Sequence, residues 1–150
     1  MIAERLFAVS LTIPDNEAFT ALGALQRLGV ACASLERATI WSFRVDDAHA
    51  DALAATVRHI ETIYNPNKHR MTALDHDAPG AGEVWVAPLD DPPERERVTL
   101  AGRTLAGVRN VRRRIAWRLR DAAGAPVAED VLVSAVERLL CNPASERTIR

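Results

Sequence analysis

Leu35-Glu36-Arg37-Ala38-Thr39-Ile40-Trp41-Ser42-Phe43-Arg44 is the stretch on which the reading of the fold turns. Leu35, Thr39, Trp41, Phe43 and Val45 fall on one side of an extended chain, and Glu36, Ser42, Arg44 and Asp46 on the other. A period of two is the mark of a strand with one buried face. The pattern returns in Val111-Arg112-Arg113-Arg114-Ile115-Ala116-Trp117-Arg118-Leu119-Arg120, where Trp117 stands for Trp41, Leu119 for Phe43 and Arg120 for Arg44. Here Val111, Ile115, Trp117 and Leu119 are expected to face inward, and Arg112, Arg114, Arg118 and Arg120 outward.

Working outward, the repeat extends further. Val57, Ile60, Glu61 and Ile63 lie over Val133, Val136, Glu137 and Leu139, at the spacing of the two tryptophans (117 − 41 = 76). Asn65-Pro66 with Arg70 lies over Asn142-Pro143 with Arg147, one position further apart (142 − 65 = 77). One extra residue in the second copy, near Cys141, accounts for the shift. Leu25 to Val30 is loosely similar to Thr104 to Val108.

The surrounding segments supply the other elements. Leu6 to Ile13 reads as a strand closed by Pro14, with Asp15 or Asn16 capping a helix that Gly29 stops. Phe19, Leu22, Leu25 and Leu28 form its expected core face. Leu53, Val57, Ile60 and Tyr64 predict a second helix, closed by Asn65-Pro66, and His69 to Leu74 a last strand. In the second copy Val84-Trp85-Val86 is a strand and Pro92-Pro93 opens a polar helix through Glu94 to Leu105. Ala125-Pro126 begins another helix, carrying Val127, Leu132, Val136, Leu139 and Leu140. The reading is α+β: two tandem β-α-β-α-β units, residues 1–76 and 83–150, joined by a linker at 77–82 within the Asp-, Pro- and Gly-rich stretch from Asp75. Helices are expected on one face of an antiparallel sheet. A unit of this size buries only a marginal core, so the two are expected to shield each other as one body, a pseudo-dimer in one chain.

Composition narrows function. Apolar residues are 48% and charged residues 26% of the 150, the balance of a globular protein, and a net charge of −1 gives no general pull towards polyanions. A strand-like run after Met1–Arg5, in place of an apolar h-region, predicts no signal peptide, and no stretch has the length of a membrane span. A cytoplasmic location is expected. Neither Cys32 nor Cys141 belongs to a paired-cysteine motif, and His49, His59, His69 and His76 mark no catalytic pattern. His69 and His76 with Asp75 and Asp77 have turn composition, without the tight ligand spacing of a zinc site. No phosphate-binding loop occurs. No catalytic residue, metal or cofactor is therefore expected. Arg112, Arg114, Arg118 and Arg120 could meet phosphates, meet acidic side chains of a partner or remain solvated; the lack of interleaved aromatics argues against stacked single-stranded bases. Asn65 and Asn142 are expected to turn the chain at the helix ends, with Arg70 and Arg147 sharing one role in both copies. These eight residues are the candidates for partner contact.

Each unit resembles the PurS subunit of phosphoribosylformylglycinamidine synthase. Ala24-Leu25-Gln26-Arg27-Leu28-Gly29 is similar to that family's first helix end, Arg138-Leu139-Leu140-Cys141-Asn142-Pro143 closely to its second, and Ile63-Tyr64-Asn65-Pro66 more weakly. The family's Gly-Lys before the strand aromatic is replaced by Ala38-Thr39-Ile40 and Arg114-Ile115-Ala116. The resemblance implies a non-catalytic protein of purine biosynthesis, which joins synthetase and glutaminase subunits for ammonia transfer. Self-association is compatible with it. A metabolite-binding regulatory module is the alternative.

Overall fold

A computed structural model describes every residue from Met1 to Arg150. The chain forms β1 (Ile2–Leu11), α1 (Asn16–Arg27), β2 (Ser34–Asp46), α2 (Asp47–Ala50), α3 (Leu53–Val57), β3 (His69–Leu74) and β4 (Glu83–Pro88). It continues with β5 (Thr99–Leu100), β6 (Arg103–Thr104), β7 (Val108–Arg120), α4 (Glu129–Ala135), a π-helical turn (Val136–Leu140) and β8 (Glu146–Ile149). The class is α+β. Six strands make an antiparallel sheet in the order β3-β1-β2-β7-β4-β8, and β5 and β6 make a separate two-stranded ribbon. No helix is long and apolar enough to cross a membrane.

The pairing registers of the two halves coincide. Phe7 faces Trp41 and Val84 faces Trp117 (84 − 7 = 77; 117 − 41 = 76). Ser10 faces Arg70 and Ala87 faces Arg147 (87 − 10 = 77; 147 − 70 = 77). The extra residue read from the sequence near Cys141 has a physical form. In the first half the Tyr64 N–H donates to the Ile60 carbonyl four residues back, at 2.9 Å; in the second the Cys141 N–H donates to Val136 five residues back, at 3.3 Å. One inserted residue widens a helical turn into a π turn.

Contacts gather the chain into two compact units, each drawing on both sequence halves. The first comprises residues 1–13, 39–77 and 90–113. Phe7, Phe43, Val45, Leu53, Val57 and Val108 anchor its core. The Phe7 and Phe43 rings meet edge to face, centroids 5.8 Å apart, a geometry that adds about 0.5–1.5 kcal/mol to the burial itself. The expected second helix is broken into α2, α3 and a series of turns: the N–H groups of His59, Ile60 and Ile63 reach back only three residues. Leu53, Val57 and Ile60 are nonetheless buried, but Tyr64 is only half-buried and Ile63 takes the inward place, because a tightened turn brings in the residue three positions after Ile60.

The expected polar helix from Glu94 to Leu105 does not form. Residues 94–98 take no regular structure, and the segment then closes as the β5–β6 hairpin. Ala101 (φ 50°) and Gly102 (φ 77°) take the positive φ values of a two-residue hairpin turn, flanked by the strand-compatible runs Val98-Thr99-Leu100 and Arg103-Thr104-Leu105. That local chemistry overrides the helix-opening signal of the two prolines.

The second unit comprises residues 14–38, 78–89 and 114–150. Asp15 caps α1 by accepting the Ala18 N–H at 3.1 Å, and Gly29 (φ 81°) ends it. The Val30 N–H reaches the Leu25 carbonyl and the Gly29 N–H that of Gln26, which satisfies carbonyls the helix end leaves unpaired. The expected core face of α1 needs correction. Leu25 is fully buried, but Phe19 is 79% exposed and Leu28 lies at the surface. Steps of three residues fall about 60° short of a full turn each, so Phe19 and Leu28 end on opposite sides. Leu25 packs with Leu35, Val84, Leu119, Leu132 and Ala135. The last helix starts at Glu129, later than Pro126 suggested, because Pro126 bridges Arg120 and the Val127 N–H bonds to Leu119. Leu139, read as part of that helix, lies within the π turn and is exposed.

The strict inside–outside alternation also fails at the sheet centre. Ile40 and Ser42 are buried on the face read as polar, β4 is buried from Glu83 to Ala87, and Arg114 is only 7% exposed. The pattern expected for a sheet solvated on one side does not extend to these positions.

Gly82 and Gly124 test the packing account of the second unit. A Cβ on Gly82 (φ 69°) would lie 2.8 Å from the Leu119 carbonyl oxygen and 2.8 Å from Pro126 Cβ, whereas at Gly124 (φ 82°) it would meet nothing. Gly124→Ala should cost only the backbone strain, about 1–2 kcal/mol; Gly82→Ala should lose about a further 1–3 kcal/mol. Urea denaturation measures both, and equal losses would refute the account.

Candidate functional site

The two Asn-Pro corners are built alike. Asn65 Oδ1 accepts the Asn67 N–H at 2.9 Å, and Asn142 Oδ1 accepts the Ala144 N–H at 3.1 Å. The Asn65 carbonyl receives the His69 N–H at 2.8 Å, and that of Asn142 the Glu146 N–H at 2.7 Å. The Asn65 N–H donates to His69 Nδ1, and the Asn142 N–H to Glu146 Oε1, both at 2.9 Å. Asn supports such a turn because its short side chain mimics a further peptide carbonyl. The expected turning role of both asparagines is therefore what the geometry displays. Arg70 and Arg147 follow at equivalent register positions on β3 and β8.

The strand arginines read as an outward basic face have unlike surroundings. Within the first unit Arg112 donates to Asn110 Oδ1 at 3.1 Å and Glu4 Oε1 at 3.2 Å, and lies 3.6 Å from Asp91. Within the second, Arg118 sends two N–H groups to Glu83 Oε2, at 3.3 and 3.0 Å. The other Glu83 oxygen takes the Trp85 indole N–H at 2.5 Å. Arg120 reaches Glu36 at 3.2 Å and the Gly124 carbonyl at 3.2 Å. Arg114 is buried rather than outward. The Glu83 carboxylate is buried, whereas an exposed pair such as Arg120–Glu36 contributes little to stability, about 0–1 kcal/mol. The pairs place a carboxylate beside Arg112, Arg118 and Arg120, which weakens any field these side chains would present to a polyanion.

Both thiols are shielded. Cys32 is buried and directs Sγ to the Ser34 carbonyl at 3.1 Å; burial pushes its pKa up, against the pull of backbone hydrogen bonds. Burial, then the charge of Glu146, raises Cys141. Such thiols carry little thiolate. His76 Nδ1 lies 2.9 Å from Asp75 Oδ1, and this bond holds the Asp75 carboxyl below its ordinary range. No group of three His, Cys, Asp or Glu side chains is arranged to hold a metal ion.

Sequence reasoning did not find a groove of about 450 Å³ in the second unit, lined by Thr20, Ala21, Ala24, Trp117, Leu139 and Leu140. The Arg37 guanidinium lies over the Trp117 ring at 6.0 Å, held by Asp15 and Glu17. The exposed apolar lining depends on where the π turn leaves Leu139, which a repeat count does not give. No protein-family model matches this chain, and no curated protein matches it.

His69 carries a pH prediction. Burial first, then the charge of Lys68, lowers its pKa, and Nδ1 must stay unprotonated to accept the Asn65 N–H. As pH falls through the ordinary histidine value of about 6.5, the unfolded chain takes the proton first. His69 thus contributes stability above that pH, and the contribution is lost as pH falls through the lower folded value. Stability measured from pH 7.5 to 5.5 should decline less steeply in His69→Gln, whose amide oxygen can still accept. Identical slopes would show that this corner does not sense pH.

Proposed function

We propose that this chain is a non-catalytic bridging component of a phosphoribosylformylglycinamidine synthase complex, joining synthetase and glutaminase subunits so that ammonia passes between them. The observation that carries the reading is the coincidence of strand registers, 76 or 77 positions apart, together with the matched Asn-Pro corners. This supports an internal duplication of a PurS-like unit, which would set two related partner surfaces in one chain as a pseudo-dimer. Arg70 and Arg147, with Asn65 and Asn142, mark the equivalent place on each copy, and Arg112, Arg114, Arg118 and Arg120 lie on the long strand of the second. Shielded thiols fit a protein that does no covalent chemistry itself. The test is size-exclusion chromatography of the chain with the two enzyme subunits from the same organism, with and without glutamine and ADP. Co-elution of all three is expected. A chain that elutes alone under every nucleotide condition would remove this reading.

The groove beside Trp117 favours a second reading, a metabolite-binding regulatory module, since apolar clefts of this size suit small ligands. On that reading a metabolite screen yields a ligand that raises the melting temperature of the chain alone. Trp117→Ala should abolish the shift. A shift unchanged by that substitution would place the ligand elsewhere.

A further inference from the structure

β3 is the edge strand of the first unit, paired with β1 on one side and with no strand on the other. The pairing runs without a bulge from Leu6↔Leu74 to Leu11↔His69, and β3 contains no proline. An open edge of this kind is a template for a further strand. The Thr12 N–H donates to the Lys68 carbonyl at 2.9 Å, which fixes the phase of the ladder. Successive residues turn their backbone groups to opposite sides of a strand. Arg70, Thr72 and Leu74 therefore bond to β1, and His69, Met71 and Ala73 turn theirs outward. The His69 N–H is taken by the Asn65 carbonyl at 2.8 Å, so the fully open residues are Met71 and Ala73. On β8 the Leu89 N–H meets the Ser145 carbonyl and Asn142 takes the Glu146 N–H, which leaves Thr148 alone in that condition.

The two ends of β3 differ in charge. Lys68 and Arg70 are exposed at its start and make no ion pair. Asp75 and Asp77 are exposed just beyond its end, where Asp75 bonds to its neighbour His76 and neither meets a lysine or arginine. Antiparallel pairing of two such strands sets each basic end beside the other's acidic end, whereas parallel pairing sets like beside like.

We infer that β3 pairs antiparallel with β3 of a second copy of this chain, about a two-fold axis through Thr72. In this register Met71 faces Ala73 of the second copy and Ala73 faces its Met71, so every open N–H and C=O is used. Centring on Met71 would set Ala73 against His69, whose N–H is already engaged, and would leave the Ala73 carbonyl unpaired. The chosen register also places two exposed threonine side chains opposite each other, a favourable cross-strand pair, and His69 opposite Asp75. A foreign strand would satisfy the same backbone groups, but the matching order of charge is written in this chain itself. The contact is one strand wide, so the dimer is weak and forms at raised concentration. It does not depend on the bridging role.

The test is sedimentation equilibrium of the full chain over rising concentration, with amide hydrogen exchange measured at both extremes. The mass is expected to climb from that of the monomer to twice it, less readily at high salt, while the Met71 and Ala73 amides become protected. Ala73→Pro removes an N–H that no bond within the chain uses, a placement an edge strand tolerates. Thr72→Lys keeps every backbone group and sets two like charges face to face at an exposed position. Each should weaken the dimer by about tenfold or more, with circular dichroism unchanged. A chain that stays monomeric would overturn the inference and leave the edge to a strand of another protein. A dimer that persists in a folded variant, or forms without protecting Met71 and Ala73, would overturn it too. Either failure leaves co-elution with the enzyme subunits untouched, so the two ideas fail separately.

Discussion

The register of β1 between its two neighbours is the constraint on which the first unit depends. Phe7 faces Trp41 on one side and Ala73 on the other, and Val9 faces Thr39 and Met71. A slip of one residue would turn Phe7 and Val9 away from the core and bring Ala8 and Ser10 into their places. The edge-to-face contact of Phe7 with Phe43 would be lost with them. β4 has the same position in the second unit, between β7 and β8, with Trp85 facing Ala116 and Ile149. In each case the middle strand of a triplet sets two ladders at once. A change that shifts it is therefore felt on both sides.

The third strand of each triplet is delivered by a corner, and the corners show which features of the chain geometry requires. Asn and Pro are kept at both, because the asparagine oxygen caps the turn and proline bars further helix. The acceptor four residues after the asparagine is a histidine in one and a carboxylate in the other. Either satisfies the same backbone N–H, so the requirement is for an acceptor and not for a particular side chain. The π turn before the second corner shows a similar tolerance. Its extra residue is absorbed within the helix, and the strand that follows keeps its place against β4.

What was legible in the sequence was what local patterning determines. Strand β3 begins and ends where its residues predicted, Asp15 caps α1, Gly29 ends it, and a one-residue insertion was readable from two spacings. The failures have identifiable causes. Phe19 and Leu28 were assigned to a core face by a period of three that drifts around a helix. The segment after Pro92-Pro93 was read from its opening residues, while the Ala101-Gly102 turn decided its conformation. Burial of Arg114, Ile40 and Ser42 reflects tertiary surroundings that alternation along a single strand does not encode. The groove beside Trp117 needed α1 and the π turn in place before it existed.

The distribution of arginines links these levels. Where an arginine sits on a long strand, a neighbouring segment often supplies a carboxylate: Glu4 beside Arg112, Glu83 beside Arg118, Glu36 beside Arg120. The exposed pair of Arg120 with Glu36 settles side-chain orientation more than it stabilises the fold. The β5–β6 hairpin differs, with its apolar residues turned inward and Arg97 and Arg103 exposed without an ion pair. A segment that needed charge only for solubility could use either sign. Exposed Glu94 and Glu96 precede these arginines in the chain, so this surface carries both signs, which suits solubility more than a field of one sign.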